Sequence, residues 1–281
     1  MLSINFVDAP YQLTPNQSFE FSVRKAVVKV QIGENWYSGK GFKINDVLFN
    51  QRTIIQATVD SLGGDNVLWT LSSGDEFASK LADWNLVDES TLSDNILNPI
   101  SIIQDFLENP SLVTNGLGLI FYPFLGTNRT ITYFEALGNE THYKYLFFIT
   151  KISNVEYETH YNKENQLLTF ESAISGNFNQ NISSPYFNIT FTHHSQLVYD
   201  ISIGLLYGSR FYSEGEGIFL DEQISYSFES HTELENYNLP KSLLGMSNFP
   251  RFIVIGVSSS TAALAIIIFV IHYKIKKEKS N

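Results

Sequence analysis

From Phe252 to Ile271 the chain runs for twenty residues without a charge, FIVIGVSSSTAALAIIIFVI. A helix of that length spans about 30 Å, the thickness of a bilayer's hydrocarbon core. Ser258, Ser259, Ser260 and Thr261 are tolerated there, because a helical hydroxyl bonds back to a carbonyl one turn earlier. A buried core helix usually carries a polar face, and this run has none. Residues 251–273 are therefore expected to form a transmembrane helix, with Phe252 and Ile271 at its ends. The expectation constrains everything else, since residues on each side of the helix must lie on one side of a membrane.

The flanks give the side. Lys274, Lys276, Lys277 and Lys279 follow the run in a basic tail, 274–281, whereas Arg251 alone sits immediately before it. Lysine and arginine stay cytoplasmic, so the tail is expected inside and the large domain outside the cell membrane. His272 and Tyr273 suit the interfacial belt, and Gly256 with Ser260 makes a small-xxx-small pair through which two helices can approach. The opening MLSINFVDAPYQLTPNQSFEF lacks the basic n-region and apolar run of a signal peptide. The expected explanation is that the chain is a mature form or that its start was placed too late.

Thirteen Lys and Arg against twenty-eight Asp and Glu precede Arg251, a net charge of −15. Such a surface repels phosphate backbones, which excludes nucleic acid as a partner. The chain has no cysteine, so it has no disulfide, thiolate metal site or cysteine nucleophile, and a domain this long folds without such staples. Animal secreted domains are often disulfide-rich, so the missing cysteines point to a prokaryotic source. Five sequons occur, at Asn16, Asn128, Asn139, Asn181 and Asn188, a number that chance approaches in a chain this rich in Asn, Ser and Thr.

Aromatic and β-branched residues alternating with polar ones predict strands over most of residues 1–228. In SFEFSVRKAVVKVQI, Phe19, Phe21 and Val23 share one parity and Val28, Val30 and Ile32 the other, so a β-bulge is expected near Arg24-Lys25. Further strands are expected at 41–49, 52–60 and 66–71, the last two joined through Gly63-Gly64-Asp65. Ser73-Gly-Asp75-Glu76 reads as a helix cap, predicting a short helix at 76–84. A second helix is expected at 99–108, where Ile100, Ile103, Phe106 and Leu107 line one face after Pro99. GLGLIFYPFLG, 116–126, is too short to span a bilayer and reads as buried core in preference to a lid over an apolar cavity. Strands resume at 145–161 and 166–176, across the turn 162–165, and then at 186–193, 196–205 and 217–228. Residues 229–250 lose the alternation and contain Pro240, Gly245 and Pro250, as a stalk would. The expected class is α+β: a large curved antiparallel sheet, half-barrel-like, with two short helices on one face and one C-terminal transmembrane helix.

No nucleophile elbow, zincin, Walker or dinucleotide motif is present, so neither catalytic residues nor a cofactor are expected. His193 and His194 are adjacent, so on a strand they point to opposite faces and cannot share a metal. Glu214, Glu216, Asp221 and Glu222 cluster near Gly215 and Gly217, but without the alternating oxygen-ligand pattern of a calcium loop, so no metal is assigned.

Tyr161-Asn-Lys-Glu-Asn-Gln-Leu-Leu-Thr-Phe-Glu, a tyrosine, a turn and a leucine-bearing strand, resembles a hairpin of the uncharacterised archaeal surface proteins called choice-of-anchor, S type. The ending GVSSSTAALAIIIFVIHYKIKK resembles their membrane anchors. The resemblance implies a surface-anchored β domain with no assigned activity. The expected function is accordingly non-enzymatic: a single-pass cell-surface protein, bound to the lipid bilayer by its helix, with a structural or partner-contact role. The alternative is an anchored carrier holding a lipid or other apolar ligand in a half-barrel cavity; an extracellular hydrolase using paired carboxylates stands last.

Overall fold

Strands of this chain keep one parity buried over long stretches, and that alternation organises the fold. The computed structural model describes residues 13–44, 47–63, 66–74, 76–83, 106–115, 117–118, 122–124, 127–138, 152–180 and 187–244. All of them belong to the first of the two units into which the chain divides, Met1–Met246 and Ser247–Asn281. The expected transmembrane helix and its lysines lie outside the described residues. Among those described, no helix is long and apolar enough to cross a membrane.

The described chain is mostly antiparallel sheet. β1 (Ser18–Ile32) pairs along its length with β13 (Glu222–Leu234). Its other edge is shared: Ser18–Ser22 pairs with β5 (Ile54–Gly63), and Val27–Ile32 pairs with β2 (Asn35–Lys40). Beyond β5 come β6 (Asn66–Ser73) and β7 (Glu76–Asp83). Beyond β13 the order is β12 (Leu205–Phe219), β11 (Phe187–Asp200), β10 (Leu167–Gln180) and β9 (Ile152–Glu164). Among the described residues the sheet has ten strands and is open, with β7 and β9 at the two ends of its order and β2 paired with β1 alone. A small second sheet sets β3 (Phe42–Ile44) between β4 (Val47–Phe49) and β8 (Leu117–Gly118), the latter pair parallel.

One face of the large sheet is the core. Phe21, Val28, Val30, Ile55, Val59, Trp69, Phe170, Leu197 and Phe211 are buried on it. The helix α1 (Thr127–Leu137) lies on this face, with Phe134 against Phe170 at 4.6 Å and Tyr199 at 6.3 Å between ring centroids. Phe124 meets Trp69 and Phe19 edge-on. Tyr122 and Phe124 are buried, so the described part of the 116–126 segment joins the core, as expected. Phe106 and Leu107 are buried in a helical turn at 106–108, ahead of a 3-10 helix, Pro110–Asn115; the rest of the expected helix 99–108 lies outside the described residues.

The bulge in β1 falls where the parity switch placed it, between Val23 and Lys25. Four expectations are corrected. The expected helix at 76–84 is the strand β7, because Gly74, at φ 62°, turns the chain back so that Glu76 pairs with Ser73. The expected strand 41–49 is a hairpin of β3 and β4, with Ile44 opposite Val47. The expected strands 186–193 and 196–205 run together as one continuous strand, β11, which ends at Asp200; residues 201–204 turn and Leu205 opens β12. The expected strand 217–228 is instead the end of β12 and the start of β13, joined by Leu220 and Asp221 at φ 49° and 67°, the conformation of a type I′ hairpin. Of the segment 229–250, expected as a stalk, residues 229–234 lie in β13 and 235–244 cross the outer face of the sheet.

Candidate functional site

The outer face of the sheet carries the feature that core packing does not explain. Cross-strand pairing sets Glu171 of β10, Gln196 of β11, Arg210 of β12, His231 of β13 and Lys25 of β1 in one row across five strands. On a one-sided sheet this row would face water. Here Glu171 and Gln196 are about 1 % exposed or less. Residues 235–244 cover them.

After β13 the chain turns through Asn236, at φ 65°, and crosses β12, β11 and β10 as a strap. Tyr237 meets Tyr207 edge-on at 5.1 Å. Leu239 lies on Gly208, where an added Cβ would stand 2.7 Å from the leucine's Cγ. Glycine is needed at 208 for this close approach, not for its backbone angle. Gln196 Nε2 donates to the Pro240 carbonyl at 3.1 Å and to Glu171 Oε1 at 2.9 Å. The other Glu171 oxygen receives the Ser242 hydroxyl and the Leu243 N–H, both at 2.9 Å, and the Leu244 N–H at 3.3 Å. A second carboxylate holds the near end: Glu233 accepts the Leu239 N–H at 3.0 Å and Arg24 Nε at 3.1 Å, with His231 Nε2 2.8 Å away. Ser22 donates to Glu235 at 2.6 Å, and Lys25 pairs with Glu229.

The electrostatics follow from this arrangement. Burial pushes the Glu233 carboxyl up, but the Leu239 N–H, His231 and Arg24 outweigh it and hold the group below its ordinary range. Burial, and then Arg210, lower His231. His194, beside this row on the outer face of β11, is pushed down to about 4 by burial, against the opposing pull of Glu171. The two buried carboxylates are thus occupied as acceptors of strap backbone and side-chain donors. The cluster fastens the chain's own strap: Leu239 enters the notch at Gly208, the carboxylates accept the N–H groups of Leu239, Leu243 and Leu244 and the Ser242 hydroxyl, and the Pro240 carbonyl accepts from Gln196.

The residues singled out by sequence fall in several places. Asn16 stands exposed in the turn before β1, at φ 68°, and Asn188 stands exposed on the outer face of β11. Asn128 lies in the first turn of α1, and Asn139 and Asn181 lie outside the described residues, as do Phe252, Ile271, Lys274, Lys276, Lys277 and Lys279. His193 and His194 take opposite faces: His193 sits between Phe211 and Phe228, at ring-centroid distances of 6.5 and 6.0 Å, and His194 lies toward the strap. Glu214 and Glu216 are on the outer face of β12, while Asp221 and Glu222 sit at the hairpin tip. Among the described residues no three His, Asp or Glu groups converge as a metal site. Sequence reasoning missed Glu171, Gln196, Gly208 and Leu239. Polar neighbours, Thr169 and Ser172 beside Glu171 and His194 and Ser195 beside Gln196, hid them, so the sequence carries no signal that singles them out.

Comparison with protein-family models, with curated proteins and with solved structures finds no match, so no relative's chemistry can be carried onto these residues.

Proposed function

We propose that this chain is a single-pass, membrane-anchored cell-surface protein whose β domain lies outside the cell and acts without catalysis, in envelope structure or in contact with a partner. The observation that carries the reading is the twenty-residue charge-free run 252–271 followed by four lysines. The strap supports it. A domain tethered at its C-terminal end needs that end secured, and here residues 235–244 are fastened across three strands by two buried carboxylates. In this reading the open sheet curls as a half-barrel, and the segment after residue 244 leads to the bilayer.

Aromatic filling of the inner face favours contact over carriage. Phe134 on Phe170 and Phe124 on Trp69 occupy the side of the sheet where an apolar guest would sit. The test is protease added to intact cells. Loss of the large domain with survival of a short membrane-bound fragment supports the proposal. Protection in intact cells with digestion after permeabilisation would refute it. Native mass spectrometry after mild detergent extraction addresses the carrier: a co-purifying lipid of fixed stoichiometry would displace the contact role.

A further inference from the structure

Beyond the strap, part of the outer face of the sheet stands exposed among the described residues. Thr190 of β11 pairs with Glu216 of β12, Glu216 with Ser225 of β13, Ser225 with Gln31 of β1, and Gln31 with Trp36 of β2. At about 4.8 Å between strands, this row runs about 19 Å from Thr190 to Trp36. Thr190 and Glu216 are exposed, Ser225 donates its hydroxyl to Gln31 Oε1 at 3.3 Å and Gln31 Nε2 donates to the Gly33 carbonyl at 2.9 Å, and the row ends on an indole that is 63 % exposed. Nothing in the packing of the described residues accounts for that exposed indole.

Asn188 and Thr190 are the two ends of a sequon and stand together at the start of this row, both exposed, with the buried Ile189 between them. In a strand, residues two apart share a face, and a register shift of one residue would have put both in the core. The row therefore begins at a sequon whose asparagine faces outward. Its side chains match what sugars offer: hydroxyls for the polar groups, and C–H faces for the negative face of the indole.

We propose that Asn188 carries an N-linked oligosaccharide whose sugars lie along this row toward Trp36. The inference rests on the exported orientation proposed above, because sequons are used on exported chains. Transfer forms one bond, from Asn188 Nδ2 to C1 of the first sugar. It breaks the bond between C1 and the phosphate oxygen of a polyprenyl-phosphate-linked oligosaccharide. The donor's phosphate leaves with the bonding pair, and the proton lost from the amide passes to solvent. β11 is hydrogen-bonded on both sides in the folded sheet, so the transfer belongs to the emerging chain, before β10 and β12 pair with it.

The test uses the full chain purified from the membranes of the cells that make it, with Asn188→Gln, Thr190→Ala and Asn16→Gln variants. The peptide containing Asn188 is weighed by mass spectrometry, and acrylamide quenching of Trp36 is measured as the difference from a Trp36→Phe variant. The expected result is a sugar mass on Asn188, lost equally in Asn188→Gln and Thr190→Ala and kept in Asn16→Gln, with Trp36 more strongly quenched once the sugar is gone. An unmodified Asn188 in protein that protease reaches on intact cells overturns this inference alone. An unmodified Asn188 in protein that protease never reaches overturns the exported orientation as well. Sugar on Asn188 with unchanged quenching overturns its placement along the row.

Discussion

Glycine 208 and leucine 239 illustrate how single contacts hold the strap. Gly208→Ala places a methyl group 2.7 Å from Leu239 Cγ, too close for both to stay in place. The expected cost is about 1–3 kcal/mol, read as a lower Tm and faster tryptic cleavage after Lys241. Because the two residues touch, Gly208→Ala combined with Leu239→Ala should cost less than the two single changes added together. Full additivity would show that the strap does not seat there. The histidines give a pH dependence. The folded chain holds His194 at about 4, whereas in an unfolded chain a histidine titrates near 6.5. As pH falls from about 6.5 toward 4, the unfolded chain binds a proton that the folded chain refuses, so stability declines across that window by about 3 kcal/mol. His231, also lowered, adds in the same direction, while the contribution of Glu233 is lost only at lower pH, as its depressed group takes up a proton. Urea unfolding at pH 7 and pH 4.5 measures the decline, and His194→Gln should flatten it.

At the scale of elements, the inner-face helix and the misread strands carry the lesson about legibility. α1 contains three threonines and an isoleucine, poor helix formers, and burial of Tyr133, Phe134 and Leu137 on the sheet sets its conformation. Phe134→Ala should cost about 3–5 kcal/mol in unfolding free energy; a cost below about 1 kcal/mol would show that the helix is not packed there. The bulge in β1 was readable because one of its faces is buried, so the parity switch survives in the sequence. β11 was not readable as one strand, because His193-His194-Ser195-Gln196 resembles a polar turn. In the fold both faces of that stretch are covered, one by aromatic side chains and the other by the strap, and alternation disappears when both faces are buried. Ser73-Gly-Asp-Glu fits a helix cap and a two-residue hairpin turn equally, and pairing with β6 decides between them. The strap itself is held mainly by backbone groups, with Tyr237, Leu239 and Ser242 adding side-chain contacts, and these leave no periodic trace.

For the molecule as a whole, β13 pairing with β1 brings the last strand of the domain beside the first, and the strap then carries the chain across β12, β11 and β10. The proposed role depends on where this domain lies relative to the membrane. The absence of native cysteine makes that directly measurable, since a single introduced thiol is the only one in the chain. Glu34 is exposed in the turn between β1 and β2, and Lys279 belongs to the basic tail. Intact cells making either the Glu34→Cys or the Lys279→Cys variant are treated with a membrane-impermeant maleimide. The account predicts labelling of Glu34→Cys in intact cells and of Lys279→Cys only after permeabilisation; the reverse pattern would contradict it.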